Sequence, residues 1–165
     1  MEINATPDFL ISRMRELNLP EMHFFYVTSQ PCAFGSLDQV LDPLIDRLYE
    51  AKRLAHIIQS GPGPDMVRYY PAGDSSGLYI MEVGIAVPAE TQPAGAAQVK
   101  ALPPYRCAGV LLWGSLAHIA QAYTTLTQAM KDAGWPHSGE VRECTYSFES
   151  PVSPNNLMGI YMAIG

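Results

Sequence analysis

The chain has 165 residues, which is enough for one domain with a substantial core. Hydrophobic residues make up 48% of it and charged residues only 16%, and this composition excludes an intrinsically disordered chain. The net charge of −6, with ten scattered basic residues, argues against direct nucleic-acid binding, because phosphate contacts require clustered lysine and arginine.

The cysteines and the absence of targeting segments indicate a cytoplasmic protein. Cys32, Cys107 and Cys144 are odd in number and have no CxxC spacing, so structural free thiols in a reducing compartment are favoured over a metal or catalytic role. No signal peptide and no long apolar stretch is recognisable, which predicts no membrane association. The four histidines show no metal-ligand spacing, so neither a metal nor a cofactor is expected.

In chain order, the first half begins with two extended segments, 9–14 and 21–29, which residues 17–20 are expected to join. Ser36 with Gln39 three residues later fits a capping box, so a helix is predicted to begin at Ser36. Pro43 lies inside its apolar pattern and predicts a kink or a late start. A turn at 61–64 and strands at 66–70 and 78–87 complete the half.

The second half follows the same order after a linker rich in Ala, Pro and Gly at 89–97. Extended segments at 98–102 and 105–112 are separated by a proline pair, and a helix is predicted from Ser115 to a cap at Gly134. Strands at 141–148 and 157–164 end the chain.

Two sequence matches indicate an internal repeat. Phe34-Gly35-Ser36-Leu37 recurs as Trp113-Gly114-Ser115-Leu116 at an offset of 79 residues, and the apolar end runs 79–88 and 156–165 match at an offset of 77. The fold class predicted is therefore α+β: a tandem strand–helix–strand–strand unit, at about 8–88 and 98–165, arranged about a pseudo-twofold axis, with largely antiparallel sheet and two main helices. The seam between the units is a natural place for a ligand cleft.

Two carboxylates lie within apolar strands and are candidates for a site in this cleft. The offset of 77 pairs Glu82 with Gly159, so the two halves differ chemically at that position. Because strand side chains alternate in direction, two interpretations stay open for each glutamate: it points to solvent, or it faces the cleft. In an aromatic-lined cleft, burial would raise the pKa of Glu143 and suit it to bind a cation or act as a general base.

Aromatic residues are the second indication of a binding site. Nine tyrosines lie mostly on predicted strands or at helix entrances, where core packing is the alternative for each of them. Phe34 and Trp113 precede the two helices and would flank the seam symmetrically, as a clamp for a flat or cationic ligand. By contrast, the acidic row at 38, 42, 46 and 50 is interpreted as a solvated helix face rather than a metal site.

The chain resembles the GyrI-like (gyrase-inhibitor-like) small-molecule-binding domain, which is also the effector-binding module of some multidrug-responsive transcription activators. The resemblance rests on the repeated unit, on Leu102-Pro103 before Tyr105, on Trp113-Gly114-Ser115 and on Val141-Arg142-Glu143, and it extends over about residues 8–164. It implies a cleft at the pseudo-twofold axis that takes apolar, often cationic compounds on aromatic walls, with Glu143 as the buried acid.

The resemblance and the residue inventory together define the predicted function. A stand-alone small-molecule-binding protein is favoured; the alternatives are a hydrolase of reactive cyclopropane-bearing toxins, with Glu143 as the candidate catalytic residue, and a gyrase-modulating protein. A topoisomerase or a transcription regulator is the candidate protein partner. The predicted ligand-binding residues are Glu143, Glu82, Trp113, Phe34, Tyr70, Tyr123, Tyr146 and Tyr161.

Overall fold

The computed structural model describes residues 8–58, 65–73 and 76–165, so the turn predicted at 61–64 lies outside the described residues. The elements alternate as the α+β prediction requires. They are β1 Phe9–Ile11, β2 Arg15–Leu19, β3 Met22–Thr28, α1 Leu37–Leu54, β4 Met66–Pro71, β5 Tyr79–Val87, β6 Gln98–Leu102, β7 Tyr105–Gly114, α2 Ile119–Asp132, β8 His137–Ser147 and β9 Leu157–Ile164.

All strands join one antiparallel sheet whose order is β1-β7-β9-β8-β4-β5-β3-β6, with β2 also paired to β7. The strands β4 and β8 meet in the middle, where Arg68 lies directly opposite Arg142. Going outwards from this central pair, each half contributes its last strand and then its long strand before the helix. The α+β class is thus confirmed, while the duplication itself stays a prediction.

The first strands of the two halves are exchanged. β1 and β2 from the amino-terminal half pair with β7, whereas β6 from the carboxy-terminal half pairs with β3. The connection expected at 17–20 is therefore wrong, because β2 runs to Leu19 and is held in register by pairs from Arg15 with Gly109 to Leu19 with Tyr105. Each half therefore supplies edge strands that pair with a strand of the other half.

The start of α1 differs from the prediction. A 3-10 turn at Phe34–Ser36 precedes the helix, and the Ser36 side chain makes no capping hydrogen bond, so the capping box is wrong. The helix begins at Leu37 and continues through Pro43, whose missing N–H removes only one hydrogen bond near the amino-terminal end.

The two helices end in the same way. In α2, Gly134 has φ +72, its N–H donates to Lys131 O, and Trp135 N–H donates to Met130 O at 2.9 Å; this is a Schellman motif and confirms the predicted cap. In α1 the corresponding position is His56, with φ +54, followed by Ile57 N–H donating to Lys52 O at 3.0 Å. A residue with a Cβ is strained in this left-handed conformation.

Both helices cover one face of the sheet, here called the helix face. Phe25, Val83 and Ile85 pack with the buried side of α1, and Val110 and Ile160 pack with that of α2. The opposite face, here called the open face, carries neither α1 nor α2, yet it holds two further buried clusters. These clusters contain Phe24, Tyr26, Met66, Leu102, Tyr105, Cys107, Tyr161 and Ala163.

Within the described residues, none of the helices is long and apolar enough to cross a membrane. The same part of the chain contains no group of three or more His, Cys, Asp or Glu side chains arranged to hold a metal ion.

Candidate functional site

A cavity of about 980 Å³ lies on the helix face, between α1 and α2 and above the central strands β4 and β8. It occurs there because α1 packs on β5 and β3 while α2 packs on β7, so neither helix covers the middle of the sheet. Most of its wall is apolar or aromatic. Its lining includes Phe34, Leu37, Leu41, Ile45, Tyr49, Val67, Tyr69, Tyr79, Met81, Leu116, Ile119, Tyr123, Val141, Phe148, Met158 and Met162.

Glu143 on β8 supplies the carboxylate at the base of this cavity. Its Oε1 accepts a hydrogen bond from Tyr123 Oη on α2, and Tyr123 Oη in turn accepts one from Tyr69 Oη on β4 at 3.0 Å. Among the described residues only Tyr123 hydrogen-bonds to Glu143, and none forms an ion pair with it. The two tyrosines thus form a chain of donors that ends on one carboxylate oxygen, and this carboxylate has no cationic partner in the part of the protein described.

The surroundings of Glu143 favour its neutral form. Burial raises the pKa of Glu143, repulsion from Asp38 raises it further, and the Tyr123 hydrogen bond opposes them only in part. Burial likewise raises the pKa of Tyr69 to about 12 and that of Tyr123 as well, so both hydroxyls keep their protons at neutral pH. A positive charge beside Glu143 would reverse this balance and favour the carboxylate.

The acidic residues of the cavity extend from its base to its rim. Asp38 and Asp42 line it from α1, and no lysine or arginine occurs among its described lining residues. Both are exposed, as predicted for the acidic row, and in addition they line the cavity, which was not predicted. They lie on one side of α1 together with Leu41, Ile45 and Tyr49, because each member of this set is three or four residues from another member.

Aromatic rings frame the entrance. Phe34, in the 3-10 turn before α1, is 60% exposed, and its ring makes edge contacts with those of Tyr79 at 5.4 Å and Tyr69 at 6.1 Å between centroids. An exposed ring held by two half-buried neighbours offers a preformed surface for an apolar or cationic ligand.

The structure brings three of the eight predicted ligand-binding residues to this cavity and places five elsewhere. Glu143, Phe34 and Tyr123 line it. The other five belong to the open face: Glu82, Tyr70, Trp113, Tyr146 and Tyr161. Glu82 and Glu143 therefore face opposite sides of the sheet and do not share a site.

Glu82 is part of a buried ionic network instead. It pairs with Arg68 and with Lys100 Nζ at 2.6 Å, and it accepts a hydrogen bond from Tyr70 Oη at 2.7 Å. Burial alone would raise the pKa of Glu82, but its hydrogen bond with Lys100 and the charge of Arg68 more than offset that effect and lower it. Arg68 also binds Glu140 at 2.9 Å, so the network is structural and already paired.

The predicted correspondence between the halves also changes at two points. Phe34 begins the 3-10 turn before α1, and Leu116 begins the turn before α2; both line the cavity, whereas Trp113 still belongs to β7. In the sheet register, Glu82 lies opposite Arg68 and Tyr161 lies opposite Arg142. Tyr161, rather than Gly159, therefore occupies the place of Glu82 in the second half.

Sequence reasoning did not select Tyr69, Tyr79, Asp38 or Asp42. For Tyr69 the available signal was its neighbour. Tyr69 and Tyr70 are adjacent on one strand, so their side chains point to opposite faces of the sheet, and only one of the two can line a given cavity. For the aspartates it was the mixed acidic and apolar stripe of α1, which a fully solvated helix face would not contain.

The comparisons with known proteins agree with this architecture. The GyrI-like small molecule binding domain matches residues 13–164. No curated protein matches the chain significantly. Among solved structures, SAV2435 bound to tetraphenylphosphonium has a TM-score of 0.66 at 11% identity, with 93% of this chain and 94% of that chain covered.

Two further structures share the fold. The EcmrR C-terminal domain has a TM-score of 0.61 at 14% identity, covering 95% of this chain and 98% of that domain; the chain spans 57% of the EcmrR chain in its DNA complex. A hydrolase from Listeria innocua has a TM-score of 0.55 at 9% identity, covering 93% of this chain and 92% of that one. At these identities the similarities establish the fold alone.

Proposed function

The chain belongs to the GyrI-like small-molecule-binding domain family, and on that basis we propose that it binds apolar organic cations in the cavity between α1 and α2. One observation carries the proposal: the Glu143 carboxyl lies in an apolar and aromatic cavity, and no described residue pairs with it as a cation. This buried carboxyl can ionise at low cost only beside a positive charge, and a cationic ligand would supply one.

Each part of the cavity has a role in this proposal. Glu143 is the counter-ion, and Tyr123 orients it through the hydrogen bond to Oε1. Phe34, Tyr69 and Tyr79 provide the aromatic wall. Asp38 and Asp42 give the rim a negative potential, which attracts cations and disfavours anions of the same shape.

Tetraphenylphosphonium and tetraphenylborate are a suitable pair of probes, because they have nearly the same size and shape and opposite charges. Calorimetric titration is expected to show binding of the cation and at least tenfold weaker binding of the anion. Glu143→Gln should weaken binding of the cation by about tenfold or more, as expected for loss of a charge-assisted contact. Asp46→Asn, which changes an acidic residue of α1 outside the cavity, is the matched control and should leave affinity unchanged.

Equal affinity for the two probes would contradict the proposal. So would an unchanged cation affinity in Glu143→Gln, provided that the variant keeps the wild-type circular dichroism spectrum.

Hydrolysis of a reactive small molecule in the same cavity is a second candidate. The hydrogen-bonded chain from Tyr69 through Tyr123 to Glu143 is the observation that favours it, because a carboxyl with a raised pKa can exchange a proton with a substrate or a water. Turnover of an electrophilic probe that is lost in both Glu143→Gln and Tyr123→Phe would support this activity. Binding without turnover would leave the protein as a binding module. A topoisomerase or a transcription regulator as partner stays a prediction.

A further inference from the structure

A second, smaller pocket lies on the open face, beside β2 and β7. It has a volume of about 400 Å³, and its lining includes Arg13, Arg15, Trp113 and Tyr161. Since Glu143 and both helices are on the other face, the sheet itself lies between this pocket and the proposed cation cavity. The two pockets share no described lining residue.

Glycines in β7 and β9 create the floor of this pocket. Tyr161 pairs across the ladder with Gly109, and a Cβ built on either Gly109 or Gly159 would overlap the Tyr161 ring. The ring therefore lies flat against the sheet, where Tyr146 Oη at 2.6 Å from Tyr161 Oη fixes its position. Trp113 forms an aromatic wall of the pocket. It lies two positions beyond Leu111 on the same side of β7, and its side chain is 39% exposed.

The charge of this pocket is opposite to that of the cavity on the helix face. Arg53, Arg68, Arg106 and Arg142 each pair with a carboxylate. Among the described residues, Arg13, Arg15 and Arg47 have no ion-pair partner, and two of these three line the pocket. No aspartate or glutamate belongs to its described lining.

We propose that this pocket is a second binding site, which takes a small flat aromatic anion such as a carboxylate or sulfonate. The guanidinium groups of Arg13 and Arg15 would hold the acid group, since their planar donors match such oxyanions. The rings of Trp113 and Tyr161 would hold the apolar body by stacking. The proposal does not depend on the cation site, because it uses none of that site's residues.

Naphthalene-2-sulfonate is the probe, and the two indole N–H signals of Trp113 and Trp135 in a ¹H–¹⁵N spectrum are the readout, assigned with Trp135→Phe. We expect a saturable shift of the Trp113 signal and none of the Trp135 signal. Arg13→Ala/Arg15→Ala should weaken binding by about tenfold or more. Arg47→Ala, which removes an exposed arginine outside the pocket, is the matched control.

Three results would overturn the proposal: no saturable Trp113 shift, the same affinity in the double variant, or an affinity that does not fall between 0.05 and 0.5 M salt, since exposed charge contacts are screened. The same spectra separate this proposal from the cation site. Tetraphenylphosphonium should leave the Trp113 signal in place, and Glu143→Gln should leave the affinity for naphthalene-2-sulfonate unchanged. Competition between the two probes would mean a single shared site and would also refute the proposal.

Discussion

Cation binding at Glu143 should depend on pH in a way that one side chain controls. In the free protein, burial raises the pKa of Glu143, so its carboxyl holds a proton at pH values where an exposed glutamate would be ionised. A bound cation favours the carboxylate and lowers that pKa. Binding therefore releases a proton between the two pKa values, and affinity should rise with pH there and level off above the pKa of the free protein.

The size of the effect follows from the number of groups involved. One carboxyl that must ionise gives a slope of at most about tenfold in affinity per pH unit. His137 also lines the cavity. Glu143→Gln keeps His137, so the difference between the two pH profiles isolates the glutamate. Asp38 and Asp42 are exposed at the rim and are present in both proteins.

Calorimetry with tetraphenylphosphonium from pH 5 to pH 8, in buffers of different ionisation enthalpy, measures both affinity and proton release. Wild type should release up to one proton more per bound cation than Glu143→Gln does. Asp46→Asn should follow wild type. Parallel pH profiles for wild type and Glu143→Gln would refute the reasoning, because the glutamate would then not be the group that ionises.

Four further predictions concern stability and the hydrogen-bonded chain. The unfolding free energy of Glu143→Gln should rise relative to that of wild type as pH increases from 4 to 8. The raised pKa of Glu143 in the folded protein stabilises wild type below the pKa of an unfolded glutamate, and this stability, about 1.4 kcal/mol per pKa unit, is lost as pH rises through the folded-state pKa. Urea unfolding at both pH values tests this, and a constant difference between the two proteins would contradict it. His56→Gly should raise the unfolding free energy by about 0.5–1 kcal/mol by relieving the left-handed conformation at the end of α1, and a lower melting temperature would speak against the strain. Tyr123→Phe should move the pH profile of cation binding to higher pH, since its hydrogen bond lowers the pKa of Glu143; an unshifted profile would mean that the hydroxyl does not matter. Glu82→Gln should destabilise the fold by about 3–5 kcal/mol, because it breaks buried ion pairs with Arg68 and Lys100, and it should leave cation affinity nearly unchanged. Lost affinity in a stably folded variant would mean that Glu82 contributes to the cation site.

Local sequence signals predicted the elements well. The apolar run at 157–164 coincides with β9 because turn-forming residues bound it, and the cap of α2 was readable from Gly134. These features depend on residues close together in the chain. The capping box at Ser36 failed although it is equally local, because the chain enters α1 through a 3-10 turn that places Ser36 differently.

The direction in which strand residues point was not predictable. Met81 to Ile85 are all buried, because Met81, Val83 and Ile85 pack in the core under α1, while the Phe24 ring and the ionic network of Glu82 cover the open face of β5. Such a strand shows no alternation of polar and apolar residues. The sequence pattern therefore could not indicate that Glu82 and Glu143 lie on opposite faces of the sheet. Trp113 was wrongly assigned to the cleft for a related reason. The match of four residues aligned the two halves in the sequence, but which residues are equivalent in the structure is decided by the sheet register, which pairs segments distant in the chain.

The exchange of first strands has a consequence for how the chain folds. β2 completes its ladder only when β7, about ninety residues later, is in place, and β6 completes the edge beside β3, which precedes it by more than seventy residues. Such distant pairings carry a large loop-closure entropy and slow the folding of a chain. A backbone cut in the segment between β5 and β6 would leave two fragments, each lacking an edge strand that the other carries. Neither fragment should fold alone, and mixing them should restore the sheet by complementation.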